Sequence, residues 1–218
     1  MPKVVDHDQR RRHITDAVCR ITLRGGLAAA TFREVAAEAE VSVRLIQHYF
    51  GTKAALLETT QEHVGERSIA RLMHWIEATD GSPRAVLAAF LKSFVPVDDE
   101  TRVATLMYIA LYTESIVPVL DERLDSRRTT EAHMAYDAIV EQLERGPLRA
   151  GVDPAREAQL IMALMPGVGQ YVLDQTISAD EAYGIVDYHL DRLFEPQPDT
   201  GDAGAEADAA PTPVTDQR

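Results

Sequence analysis

The chain has 218 residues, 45 % hydrophobic and 26 % charged, with a formal net charge of −13. A single cysteine, Cys19, excludes an intramolecular disulfide framework. No run approaches the roughly 20 apolar residues of a membrane helix, and no signal-peptide apolar core opens the chain, so the expectation is a soluble, cytoplasmic protein without membrane contact.

The charge is unevenly distributed. Residues 1–60 carry nine Lys and Arg against seven Asp and Glu, whereas the remaining 158 carry thirteen against twenty-eight. Only the first segment tolerates a polyanion, and the acidic remainder is expected to stay away from one.

Residues 1–8 are short and polar and read as frayed. The basic run Arg10-Arg11-Arg12-His13 follows, either a solvated helix end or a phosphate contact. Ile14, Ala17, Val18 and Ile21 then recur on one helical face, and Gly25-Gly26 ends that helix. Cys19 lies on it, where a half-buried helix residue is the plain reading and a redox or metal sensor the sharper one. Thr31 followed by Glu34 forms a capping-box pattern before a short helix with Phe32, Val35, Ala36 and Ala39 as its buried stripe. After a four-residue corner, Ala39 to Ser42, a second short helix follows. Val41, Leu45 and Ile46 are its apolar side. Ser42, Val43, Arg44, Gln47, His48 and Tyr49 are left outward, with Ser42 as N-cap. Two such helices make a helix-turn-helix, and the outward set is rich in donors able to read base edges and phosphates. The first helix packs behind it as the third of a three-helix unit.

After the break at Gly51-Thr52, a long helix is expected from Lys53 to about Thr79, buried through Leu57, Val64, Ile69, Leu72, Met73 and Ile76. Asp80-Gly81-Ser82-Pro83 stops it. Residues 83–95 form the next helix, with Val86, Leu87, Phe90, Leu91 and Phe94 inward, ended by Pro96. Residues 99–116 are apolar enough to be central to the second part of the chain, and Pro118 breaks them from a helix over 119–145. Asp153-Pro154 opens a helix of about 25 residues as N-cap and first position, which Pro166-Gly167 should interrupt and kink. Ser178-Ala179-Asp180-Glu181 is a second capping box, leading into Tyr183, Val186, Leu190 and Leu193. Residues 195–218 hold four prolines, two glycines and six acids with no aromatic, the signature of a disordered acidic tail. That tail is either a solvated terminus or a competitor with DNA for the basic head.

No Gly-rich phosphate loop, G-x-S-x-G elbow, C-x-x-C or H-E-x-x-H occurs. His133 has no metal-ligating partner at helical spacing. The expectation is therefore no enzyme, no metal and no cofactor. Phe90, Met107, Tyr108, Leu111, Tyr112, Glu114, Met134, Asp137, Met162, Met165 and Gln170 supply adaptable apolar surface with polar handles. Such a make-up suits either a ligand pocket or an ordinary core.

Two lengths of sequence carry a specific resemblance. Thr31-x-Arg33-x-Val35-Ala36-x-x-Ala39-x-Val41-Ser42, then His48-Tyr49-Phe50-x-x-Lys53-x-x-Leu56, resemble the N-terminal signature of TetR-family transcriptional regulators. The likeness covers roughly residues 10 to 60 and departs at the corner, where the family usually has Gly and this chain has Glu40. It implies an all-α protein: an N-terminal three-helix helix-turn-helix domain over 1–53, a helical effector-binding and dimerisation domain over 54–195, and the acidic tail over 196–218. It implies that Arg33, Val43, Arg44, Gln47 and His48 face base edges, and that Thr31, Ser42, Tyr49 and Lys53 hold phosphates. Some small-molecule effector is implied, its identity open. The C-terminal helices look apolar on more than one side, and Ile161, Met165, Val168, Val172, Tyr183, Val186, Leu190 and Leu193 are the expected homodimer surface.

The functional expectation is a ligand-responsive repressor that binds a near-palindromic double-stranded DNA operator as a homodimer and is released by a small molecule. Two other readings stand beside it: a regulator of the same fold that senses nothing, and a helical small-molecule-binding protein with a vestigial DNA-binding motif.

Overall fold

The computed structural model describes residues 7–116 and 122–196, with the backbone alone described for 111–116 and 122–131. The helices are α1 (His7–Gly25), α2 (Phe32–Glu38), α3 (Val43–Phe50), α4 (Lys53–Glu77), α5 (Pro83–Lys92), α6 (Asp99–Ile116), α7 (Glu122–Arg145), α8 (Pro154–Leu173) and α9 (Ala179–Leu193), with a 3-10 turn at Leu27–Ala29. Among the described residues no strand occurs beyond an isolated bridge between Leu148 and Phe194. The all-α expectation holds.

The helix starts follow from side-chain caps, each satisfying an otherwise orphaned N–H. Ser42 Oγ accepts from Leu45 N–H at 3.1 Å, Thr52 Oγ1 from Ala55 N–H at 3.1 Å, and Asp153 Oδ1 from Ala155 N–H at 3.0 Å. Ser178 and Glu181 form the full reciprocal box. The Thr31–Glu34 pattern forms only its first half: Thr31 Oγ1 accepts from Glu34 N–H at 3.3 Å, while the Thr31 N–H donates to Ala29 O.

Several boundaries differ from expectation. His7 and Asp8 are helical rather than frayed, and Asp8 sits in the first turn, where a negative charge suits the dipole. α5 ends at Lys92, and Ser93 to Val95 continue in turns up to Pro96, Val95 being barred from the helical region as the residue before proline; Phe94 is exposed. α8 runs through Pro166 without interruption. The acidic tail from residue 197 lies outside the described residues.

Among the described residues, two apolar clusters organise the fold. In the first, Ile14 and Val18 of α1 meet Val35 of α2, Ile46 of α3 and Leu56 of α4, all fully buried. Val103 and Met107 of α6 belong to the same cluster, so the first half of α6 is seated on the N-terminal helices. In the second, Leu87 and Leu91 of α5 pack with Ile139 and Leu143 of α7, Ile161 of α8, and Val186, Leu190 and Leu193 of α9. Each fully buried aliphatic residue contributes about 1.5–3 kcal/mol.

The long helix needs one correction. Leu57, Val64, Leu72 and Ile76 are buried or half-buried, but Ile69 is 63 % exposed and Met73 is exposed as well. Past Val64, the face of α4 turned to α6 is polar: Arg67 and Arg71 pair with Glu100 and Asp98. The apolar positions between them point away.

The helix-turn-helix corner closes as a Schellman motif. Val41 N–H donates to Ala36 O at 2.9 Å and Glu40 N–H to Ala37 O at 3.3 Å. Glu40 therefore takes φ +52°, a left-handed conformation suited to glycine. The strain is about 1–2 kcal/mol, and a glycine would give back about 0.5–1 kcal/mol in unfolded-state entropy. Glu40→Gly is expected to stabilise the protein by about 0.5–1 kcal/mol. A raised urea midpoint at unchanged m-value checks this, and an unchanged or lowered midpoint refutes it.

Candidate nucleic-acid interface

α3 is amphipathic in the sense a reading helix needs. Ile46 and Phe50 are buried, Val41 and Leu45 half-buried, and Ser42, Arg44, Gln47 and His48 are exposed. Thr31, Arg33 and Lys53 are exposed too. Of the nine expected contact residues, two are less available. Val43 is half-buried against the first cluster. Tyr49 is half-buried, with its hydroxyl oxygen 3.0 Å from His7 Nδ1 and its ring edge-on to His48. Thr31 and Ser42 use their hydroxyls as caps, so contact through them would involve a second lone pair or the neighbouring N–H groups.

Lys53 stands in the first turn of α4, after the Thr52 cap. Unpaired N–H groups, the positive helix end and the ammonium there favour an anion. Part of the head's charge is internally matched. Arg20 and Arg24 both bond Glu38, and those hydrogen bonds hold its carboxyl below the ordinary range. The cations left exposed include Arg12, Arg33, Arg44 and Lys53. Thr52, read from the sequence only as part of a break, is the N-cap that holds this helix start beside Lys53.

A polar junction joins head and body. Asp16 of α1 lies 3.2 Å from His63 and 3.8 Å from Arg67, and Arg67 also bonds Glu100 at 2.8 Å. Arg71 bonds Asp98 and holds its carboxyl down at about 2, the Thr101 N–H adding to the effect. Beside this network lies an open cleft of about 310 Å³, with Cys19, Leu23 and Val103 among its lining. Burial, followed by the charge of Asp16, pushes the Cys19 thiol up to about 11. That is the opposite of a redox-sensing thiolate. Among the described residues no group of His, Cys, Asp and Glu could hold a metal.

The expected pocket residues scatter. Phe90, Met162 and Met165 are half-buried around the second cluster, together with Tyr136. Met107 is instead buried in the first cluster, and Met134 is 66 % exposed. Tyr108, Asp137 and Gln170 are exposed. The side chains of Leu111, Tyr112 and Glu114 lie outside the described residues.

The expected dimer surface is corrected in part. Ile161, Val186, Leu190 and Leu193 are buried inside the single chain, against α5 and α7. Met165, Val168, Val172 and Tyr183 are half-buried. The apolar residues that α8 and α9 expose are Leu160, Leu164, Tyr171, Ile185 and Tyr188. One stripe of each helix is needed for the chain's own core, and the surplus lies on the other side.

A capped three-helix head presenting an exposed Arg, Gln and His on a helical body defines a DNA-binding regulator of the helix-turn-helix class. Comparison with known proteins makes the class definite. Residues 14–60 match the bacterial regulatory proteins of the tetR family, and residues 83–195 match the C-terminal part of BetI-type transcriptional repressors. The chain is 35 % identical over 101 residues to the transcriptional regulator PksA of Bacillus subtilis, covering 46 % of this chain and 49 % of that one. It is 32 % identical over 135 residues to the regulator BetI of Burkholderia lata, covering 61 % of this chain and 69 % of that one. The match thus spans about half the length of PksA and about two thirds of BetI. Among solved structures, a transcriptional regulator from Saccharomonospora viridis in complex with choline shares the fold at TM-score 0.75 and 20 % identity, over 87 % of this chain and 100 % of that one. A regulator from Rhodococcus sp. RHA1 does so at 0.71 and 19 %, over 83 % and 93 %. The chain belongs to the TetR family of transcriptional regulators, with a BetI-type C-terminal part. No described helix is long and apolar enough to cross a membrane.

The Cys19 environment gives a direct test. With a thiol pKa near 11, alkylation by iodoacetamide at pH 8 should be at least about tenfold slower in the folded protein than in urea, where the pKa returns to about 8.5. The folded rate should climb only as the pH passes 10. A fast reaction at pH 8 would show an accessible thiolate and revive the sensor reading.

Proposed function

We propose that the protein is a cytoplasmic repressor that binds a near-palindromic duplex as a homodimer and leaves it when a small molecule occupies the helical body. The observation that carries this reading is the exposed Arg44, Gln47 and His48 on a helix whose opposite side is buried and whose start is capped. Arg33, Arg44, Gln47 and His48, with the edge of Val43, would read bases. Lys53, Tyr49 and the capped starts at Thr31 and Ser42 would hold phosphates. The proposed division is a head over 1–53, a body over 54–195 and the tail from 196, with α4 common to both parts. It has no catalytic role.

For the effector, the half-buried Phe90, Tyr136, Met162 and Met165 at the edge of the second cluster supply a deformable apolar lining. Choline is the first ligand to test, because it occupies the Saccharomonospora viridis protein of the same fold. Ligand-dependent release requires unequal affinity for two states. A regulator of the same fold that senses nothing would bind its site equally with and without the added compound.

For the dimer, Leu160, Leu164 and Tyr171 follow one line of α8, and Ile185 and Tyr188 one line of α9. Paired with the same lines of a second copy, they would make an isologous four-helix contact, setting two reading helices for successive major grooves.

Two experiments test this reading. Arg44→Ala should cost about 1–3 kcal/mol at one base pair and relax sequence preference, whereas Lys53→Ala should weaken all duplexes alike and lower the salt slope by about 1. Equal losses from both on selected and random DNA would refute the division. Leu164→Glu with Tyr188→Glu, at positions 54 % and 66 % exposed, should give a folded monomer in sedimentation. A dimer persisting at low micromolar concentration would place the interface elsewhere.

A further inference from the structure

The basic run at the start of α1 is not one surface. Arg12 and His13 are both exposed, but His13 and Arg11 are bonded to the helix-turn-helix. His13 Nε2–H donates to the carbonyl of Ala39 at 2.8 Å, at the end of α2 and next to the left-handed Glu40. Arg11 forks between two elements: Nη1 donates to the carbonyl of Tyr49 at 3.4 Å and Nη2 to Thr59 Oγ1 on α4 at 3.3 Å. The same guanidinium lies 5.1 Å over the ring of Phe50. One turn earlier, His7 Nδ1 sits 3.0 Å from the Tyr49 hydroxyl oxygen.

α3 needs outside support. It has eight residues, too few to be stable alone, and only Ile46 and Phe50 are buried. Those two side chains fix its depth, yet rotation about its axis and tilt of its ends are left to weaker contacts. The corner before it is strained at Glu40, and its last turn ends at Gly51 with φ +69°. The α1 contacts fall at those two ends, on the carbonyl before the corner and on the last turn.

We propose that His13 and Arg11, with His7, act as positioning residues that clamp the reading helix at both ends and thereby set sequence discrimination, rather than as phosphate contacts. The role rests on the DNA-binding reading. A displacement of about 1 Å at the helix would spoil the aligned base-edge bonds that give specificity and leave phosphate attraction untouched.

The test starts from a duplex selected by the wild-type protein out of a randomised pool, with random-sequence duplex as reference. Wild-type protein that enriches no sequence refutes the DNA-binding reading itself. Given a selected site, His13→Ala and Arg11→Lys should each weaken binding to it by up to about tenfold, the range of one lost hydrogen bond, with affinity for random duplex and the salt slope unchanged. Arg11→Lys keeps the charge but loses the planar fork, so an unchanged affinity there overturns the clamp. His13→Gln, whose amide can donate to the same carbonyl, should restore selectivity. Arg12→Ala should weaken both duplexes together and lower the slope by about 1. If His13→Ala does the same, His13 is a phosphate contact and the proposal fails.

A second readout needs no DNA. Amide exchange over residues 43–50 should be faster in His13→Ala and Arg11→Lys, and unchanged in Arg12→Ala. Exchange accelerated equally across α1, α2 and α4 in both variants would make these residues general supports of the head, and would overturn the specific role.

Discussion

The apolar face of α1 is the surface on which the N-terminal half is assembled. Ile14, Ala17, Val18 and Ile21 are buried, and α2, α4 and α6 all pack against that helix. Val35, Ile46 and Leu56 reach the same cluster from three other helices. Removing one such residue would cost about 2–5 kcal/mol, against a typical total stability of 5–15 kcal/mol. The reading helix thus has its position dictated from behind, by residues that never approach DNA.

The charged junction between α1, α4 and α6 plays a different part. Arg67 and Asp98 are about half exposed, and exposed ion pairs contribute roughly 0–1 kcal/mol each. Asp98 also accepts from the Thr101 N–H at 2.9 Å and so fixes the start of α6. The ion pairs orient that helix end. The buried Val103 and Met107, at about 1.5–3 kcal/mol each, hold it.

Much of this was legible in the sequence, for identifiable reasons. Caps read correctly because their chemistry is local: Ser42, Asp153 and Ser178 bond N–H groups two or three residues on. At the corner the sequence offered only the departure from the resembled family's Gly at Glu40; the left-handed backbone there came from the structure. Tertiary direction was not legible. Ile69 and Met73 follow the same spacing as buried residues, but the partner face of α4 changes from apolar to charged beyond Val64. Likewise, periodicity shows that α8 and α9 are apolar on two sides without saying which side the chain keeps for itself. In the site, the exposed set Arg44, Gln47 and His48 was readable from its helix. The bonds of Arg11 and His13 to backbone carbonyls were not, because a run of basic residues reads alike whether or not its members find a carbonyl.

The seating of α6 on the head constrains how any signal could travel. The apolar character of α6 pointed to the centre of the body, yet Val103 and Met107 complete the head's core. Prising α6 off the head would expose both, at about 3–6 kcal/mol together. Coupling between sites typically amounts to about 1–3 kcal/mol. A ligand of that order cannot separate the two surfaces, so a displaced α6 would carry the head with it as one body. Under the proposed reading, release from DNA is then a change in the spacing or tilt of two intact heads. Beyond Val64, by contrast, the contacts of α4 with α6 are charged and partly exposed.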